Sequence, residues 1–93
     1  MNKGELVEAI ADRASVSRKE AEVVLNAALE TIVDAVSEGN KVTLVGFGSF
    51  ESRVRQAREG RNPQTGKKMT IPETVVPAFS AGKLFKEKVS IHN

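Results

Sequence analysis

Six bases stand between residues 53 and 68, namely Arg53, Arg55, Arg58, Arg61, Lys67 and Lys68, with Glu59 as the one acid among them. At the centre of the segment lies GRNPQTGKK, residues 60–68, in which Asn62-Pro63 and Thr65-Gly66 are turn dipeptides. Extended-strand sequence flanks the turn on both sides. The pattern predicts a basic β-hairpin with almost no apolar face for packing on its own chain and with Pro63 at or near its tip. Such an arm suits a polyanion.

The nine residues from Arg53 to Arg61 span about 30 Å at about 3.3 Å per strand residue. Arg53 and Arg55 fall on one face of the strand, with Arg58 and Arg61 farther out. Arginine suits a DNA minor groove, because its planar charged fork is less strongly hydrated than an ammonium and the narrow groove concentrates negative potential. That groove is only about 6 Å wide. A two-stranded ribbon, with strands about 4.8 Å apart plus side chains, enters only if the groove opens, and opening goes with bending. Pro63 is compact, rigid and apolar, and it has no N–H to leave unsatisfied between bases. Residue type alone leaves it open between a wedge that unstacks a base step and a residue that shapes a solvated turn.

Other chemistries find little support. The chain has no cysteine, which excludes disulfides and thiolate metal sites, and its one histidine, His92, stands beside the last residue, where a ligand or catalytic role is not expected. There is no phosphate-cradling glycine loop of the nucleotide-binding type, and no catalytic, metal or cofactor site is expected. Glu51, Glu59 and Glu73 stand among bases or in strands, where solubility and pairing explain them. No apolar run has signal-peptide or membrane-spanning length, so a soluble cytoplasmic protein is expected. The net charge of +2 hides an asymmetry: residues 1–50 carry five bases and eight acids, and residues 51–93 carry nine bases and four acids. A membrane surface would want apolar or aromatic anchors beside the basic face, and residues 53–68 offer none. A nucleic acid is the favoured partner.

Ninety-three residues make one small domain. Asn2 and Glu5 form a capping box for a first helix, in which Leu6, Val7, Ile10, Ala11 and Ala14 recur at helical spacing. Ser15-Val16-Ser17 breaks the pattern, and Ser17 with Glu20 makes a second box. A long helix then runs from about Arg18 to Glu38 and ends at Gly39. Val24, Leu25, Ala28, Leu29, Ile32, Val33 and Val36 give it a broad apolar face, widened by Ala21, Val23, Ala27 and Ala35. A surface helix of a small monomer needs only about 100° of apolar arc. Either alanine serves here as a good helix former, or the helix packs against the first helix on one side and a second subunit on the other.

Lys41 to Val45 reads as a strand, Gly46-Phe47-Gly48 as a tight turn, and Ser49 to Arg55 as a strand whose outer end becomes the arm. The chain returns through Lys68 to Ile71 and Val75-Val76. Pro77 is expected to end the sheet, and Ser80 to cap a last helix from Ala81 to about Val89. The first two helices could be taken for a DNA-reading helix–turn–helix. Against that, Glu20 and Glu22 lie in the first turns of the second helix and would repel phosphate, and the rest of that helix is too apolar for a groove. A two-helix platform is the stronger expectation.

MNKGELVEAIA at 1–11, VTLVGFGSFESR at 42–53, GRNPQTGKK at 60–68 and VPAFSAGKLFKEKV at 76–89 resemble the HU/IHF family of bacterial histone-like proteins, HU most of all. The resemblance covers nearly the whole chain, and GFGSF followed by GRNPQTG at this spacing is highly specific. It implies an α+β fold: an intertwined dimer with a helical base of two N-terminal helices, a three-stranded antiparallel sheet saddle with one protruding β-hairpin arm per subunit, and a short C-terminal helix. Residues 1–40 would dimerise, 41–80 would form the sheet and an arm at about 53–75, and 81–93 the last helix.

The resemblance further implies a histone-like function, in which the protein binds double-stranded DNA with little sequence specificity through the minor groove, and bends and compacts it. HU and IHF are themselves type examples of that wedge mechanism. Carried over by position, Pro63 is the intercalating wedge. Arg53, Arg55, Arg58, Arg61, Asn62, Gln64, Thr65, Lys67 and Lys68 line the groove and its phosphates, and Lys3, Lys83 and Lys86 meet flanking phosphates. Gly46, Gly48 and Ser49 form a turn whose backbone approaches DNA. Leu29, Ile32, Val36, Leu44, Phe47, Phe50 and Phe79 are implied dimer core. The implied partners are duplex DNA, above all when bent, nicked or gapped, and a second copy of the chain, in a nucleoid-associated location. A sequence-preferring bender like IHF is the alternative, and an RNA-associated basic protein a secondary one. Val54 departs from a wholly polar arm, and its side chain is expected to face the saddle.

Overall fold

A computed structural model describes residues 1–92, with His92 described through its backbone only; the readings of the His92 side chain and of position 93 therefore lie outside the described residues. The chain divides into two compact units, Met1–Asp34 and a second from Ala35 onward.

The local signals produce the helices they predict. Helix α1 spans Lys3–Ala14 and opens on a complete capping box: the Glu5 N–H donates to Asn2 Oδ1 at 2.9 Å, and the Asn2 N–H donates back to Glu5 Oε1 at 3.3 Å. It ends where Ser15 turns left-handed at φ 57°, which frees the chain to reverse. Helix α2 spans Arg18–Ser37. Its cap differs from the first, because the Glu20 N–H donates to Ser17 Oγ at 3.1 Å while the Ser17 hydroxyl itself donates to Glu20 Oε1 at 3.0 Å. Its far end is a Schellman motif: the Gly39 N–H reaches Val36 O and the Asn40 N–H reaches Ala35 O, with Gly39 at φ 86°.

Within the first unit, α1 and α2 pack through Val7, Ala11 and Ala21, with Ile10 and Leu25 against them. These three are the buried hydrophobic residues among those described. The start of α2 is thus committed to its partner helix through Ala21, as the platform expectation requires. Along the rest of α2, Val24 is 68% exposed and Leu29 47%.

In the second unit, strands β1 (Val42–Leu44), β2 (Gly48–Arg55) and β5 (Thr74–Ala81) form an antiparallel sheet in the order β1-β2-β5. Strands β3 (Arg58–Arg61) and β4 (Lys68–Ile71) form a separate two-stranded ladder. The arm is therefore not one continuous ribbon from residue 53. The first ladder stops at Arg55↔Thr74 and the second starts at Arg58↔Ile71, with Gln56-Ala57 on one side and Pro72-Glu73 on the other. Proline has no N–H to give a ladder, so the break falls where Pro72 stands.

Two sequence expectations fail here. Pro77 does not end the sheet: it lies inside β5, opposite Ser52. β5 is an edge strand of this sheet, where a missing N–H is tolerated. Nor does Ser80 cap a helix beginning at Ala81. Both residues belong to β5, and helix α3 spans Lys83–His92, its first turn closed by the Lys86 N–H on Gly82 O at 3.0 Å.

Candidate nucleic-acid interface

Directly opposed residues of an antiparallel ladder share a face, and successive residues alternate. The register therefore sorts the sheet. Thr43, Ser49, Glu51, Arg53, Arg55, Thr74, Val76, Ala78 and Ser80 lie on one face. Phe50, Phe79, Val54 and Val75 lie on the other. Arg53 and Arg55 thus share a face, as their spacing predicts, and Val54 sits on the face of the phenylalanines, opposite the arginines.

The apolar face continues into an aromatic cluster. Ring centroids of Phe50 and Phe79 are 4.8 Å apart, and those of Phe47 lie 5.3 Å from Phe79 and 5.4 Å from Phe85. Phe85, on α3, carries no local signal of this role. It stands among lysines there, and only the fold brings it beside Phe47. Phe47 and Phe79 remain 45% and 41% exposed, so the cluster is only half covered within the chain.

The glycines of the GFG turn have structural duties. Gly46 takes φ 85° in the turn that returns the Phe47 N–H to Leu44 O at 2.9 Å, a left-handed position that glycine accepts without strain. At Gly48 an added Cβ would lie 2.5 Å from Ser80 O and 2.6 Å from Phe79 Cζ. That position is closed to any side chain, whatever approaches from outside.

Arg53 is held at the base of the arm. Its Nη2 donates to Ser80 Oγ at 2.7 Å, and its Nη2 and Nε each lie 3.3 Å from Glu51 Oε1. Farther out the bases are unneutralised: among the described residues, Arg55, Arg58, Arg61, Lys67 and Lys68 have no ion-pair partner. Arg61 and Lys68 face each other across β3–β4 on the same side as Glu59 and Thr70. The opposite side carries Arg58, Gly60, Met69 and Ile71. The arm therefore has a narrow apolar stripe that composition concealed, with Ile71 Cδ1 lying 3.2 Å from where a Gly60 Cβ would stand. A shallow hollow at the break between the ladders is lined by Arg55, Gln56, Arg58, Ile71, Pro72 and Thr74.

The tip is a closed turn. The Asn62 N–H donates to Lys67 O at 2.9 Å and the Gly66 N–H to Asn62 O at 2.7 Å, with Gly66 at φ 70°. Asn62 Oδ1 accepts from the Gln64 N–H at 2.9 Å, and Thr65 Oγ1 from the Lys67 N–H at 3.3 Å. Asn62 and Thr65 thus shape the turn from within, and Pro63 is exposed on it. Lys83 and Lys86 lie one turn apart on α3, with Lys83 Nζ 3.9 Å from Glu87 Oε1. Lys3 belongs to the first unit, at the start of α1. No described helix is long and apolar enough to cross a membrane, and no group of three or more described His, Asp or Glu residues is placed to hold a metal ion.

The family described as bacterial DNA-binding protein matches residues 1–90. The chain is 73% identical over 90 residues to a protein of Nostoc sp. named DNA-binding protein HU, covering 97% of this chain and 96% of that one. It is 60% identical to the protein of the same name from Synechocystis sp., at the same coverage of each. A solved structure described as an Anabaena HU–DNA cocrystal superposes with a TM-score of 0.92 at 73% identity, over 97% of this chain and 98% of that one. HU from Thermotoga maritima superposes with a TM-score of 0.69 at 38% identity, over 96% and 98%.

Proposed function

The chain belongs to the HU family of bacterial DNA-binding proteins, and from that premise we propose that it is a histone-like architectural protein that binds duplex DNA with little sequence preference, enters the minor groove with its arms and bends it. The family is one of DNA-binding proteins and not of enzymes. The observation that carries the reading is the β3–β4 arm, whose outer bases have no acidic partner among the described residues and whose closed turn holds Pro63 exposed at the tip. A relative at 73% identity has been crystallised with DNA.

The mechanism follows from groove geometry. A ribbon wider than the closed groove needs deformed DNA. Pro63 supplies the deformation by entering a base step, at a cost of a few kcal/mol that the charged contacts of wrapped DNA offset. Arg55, Arg58, Arg61, Lys67 and Lys68 neutralise phosphates along the arm, with Arg53 at its base and Asn62, Gln64 and Thr65 beside the wedge. Lys3, Lys83 and Lys86 extend the contact to flanking DNA. Gly46 and Ser49 let backbone approach the duplex, whereas Gly48 is buried and its missing side chain serves the packing against Phe79 and Ser80 instead.

The working form is a homodimer. Leu29, Ile32 and Val36 of α2, with Leu44, Phe47, Phe50 and Phe79 of the sheet, form its core. What supports this is the small buried core of the single chain beside its exposed apolar side chains: Leu29, Leu44, Phe47 and Phe79 are all exposed. Large apolar exposure of this kind marks an interface. The protein works on the nucleoid, in the cytoplasm. The test is affinity for a nicked or gapped duplex against an intact one of the same sequence. Distorted DNA already has its deformation in place and binds more tightly; equal affinities would contradict the bending mechanism.

A further inference from the structure

The face of the main sheet that carries Arg53 also carries a row of hydroxyls across three strands. Thr43 of β1 stands opposite Ser49 of β2, and Ser49 opposite Ser80 of β5. Ser49 Oγ and Thr43 Oγ1 are 3.5 Å apart. Into the Ser80 end of this row comes the Arg53 guanidinium, donating to Ser80 Oγ at 2.7 Å. Ser80 accepts that bond with a lone pair and so keeps its own proton to donate elsewhere. Glu51, the one acid of this face, meets the Nε–Nη2 edge of the same guanidinium through a single oxygen, Oε1, at 3.3 Å from each nitrogen, so that it shares Nη2 with Ser80.

A carboxylate so placed occupies the edge of the guanidinium that a phosphate would take. The two are not equal competitors. An ion pair whose side chains are 54% and 32% exposed is weakly held. A phosphate can receive two parallel N–H bonds from arginine and further protons from the neighbouring hydroxyls. Once it arrives, Glu51 becomes a like charge beside it.

We infer that Arg53, Ser80 and Glu51 form a gated seat for one backbone phosphate, in which the phosphate displaces the Glu51 carboxylate while Ser80 keeps the guanidinium in place. Ser80 is a positioning residue, and Glu51 is the resident competitor that lowers affinity. The inference rests on the DNA-binding reading of this face. It places two residues in the interface that no basic-residue pattern would select, one of them acidic.

The test is a double-mutant cycle on one duplex of fixed sequence, titrated at several salt concentrations. Glu51→Gln tightens binding by about two- to fivefold, the range expected for an exposed pair, and that gain vanishes when Arg53 is already alanine. Ser80→Ala weakens binding by about threefold, and Ser80→Thr, which keeps the hydroxyl, restores it. If Glu51→Gln brings no gain, the seat is overturned. It is equally overturned if the gain is the same in the Arg53→Ala background, because the effect would then be one of net charge, or if Ser80→Ala binds as the unaltered protein does. Failure of the unaltered protein to bind any duplex would overturn the DNA-binding reading, and the seat with it.

Discussion

The backbone N–H of Asn62 donates to the carbonyl of Lys67 at 2.9 Å, and this bond closes the turn on which Pro63 is carried. Asn62 Oδ1 takes the Gln64 N–H and Asn62 O the Gly66 N–H, so this asparagine, with Thr65 beside it, organises the tip. Pro63 is thus presented on a loop in which the N–H groups of Asn62, Gln64, Gly66 and Lys67 are already occupied. A wedge needs that preorganisation, since any freedom lost at the tip on binding would subtract from affinity.

Pro63→Ala leaves those turn bonds available but removes the rigid apolar ring. Its bend angle on intact duplex, measured by energy transfer between end labels, falls below that of the unaltered protein. Its affinity for intact duplex drops further than its affinity for nicked duplex, where unstacking is already cheap. Equal bend angles for the two proteins would remove Pro63 from the mechanism.

Gly48→Ala tests the fold that holds the arm. The new methyl would collide with the Ser80 carbonyl and the Phe79 ring, at 2.5 and 2.6 Å. Overpacking of this kind costs about 1–3 kcal/mol, so urea unfolding at fixed protein concentration shows a lower midpoint. An unchanged midpoint would mean that β2 and β5 can separate at no cost.

The dimer makes stability depend on concentration. The unaltered protein sediments at twice the 10.0 kDa chain mass, and its melting temperature rises with protein concentration. Leu29→Asp, which puts an uncompensated charge into the proposed core, destabilises the dimer by about 3–5 kcal/mol and shifts it toward monomer. A monomer mass for the unaltered protein, with a melting temperature independent of concentration, would contradict the dimer.

The features legible from sequence are those set by near neighbours. Asn2 with Glu5, Ser17 with Glu20, and Gly39 each act within three or four residues, so the helix ends were readable, although the Ser17 hydroxyl chose the Glu20 carboxylate rather than the reciprocal backbone bond. Alternation along β2 put Arg53 and Arg55 on one face for the same reason. The place of Pro77 inside β5 is not legible locally, because its tolerance depends on lying in an edge strand, a property of strand order rather than of local sequence. Ser80 looked like a helix cap, but its hydroxyl is engaged by Arg53, 27 residues earlier. The Met69–Ile71 stripe is not legible in the sequence because charge dominates the composition of the arm.

Binding to duplex DNA through its phosphates, with little regard for sequence, shows itself in the salt dependence of affinity. The direct measurement is affinity for several unrelated duplexes of equal length over a series of salt concentrations. The expected result is a set of steep, nearly superimposable log–log lines, with a slope of about −0.9 for each phosphate neutralised. Arg61→Ala, which removes one outer base, lowers the slope by about that increment on every duplex. A flat salt response, or one duplex bound far more tightly than the rest, would contradict binding of this kind.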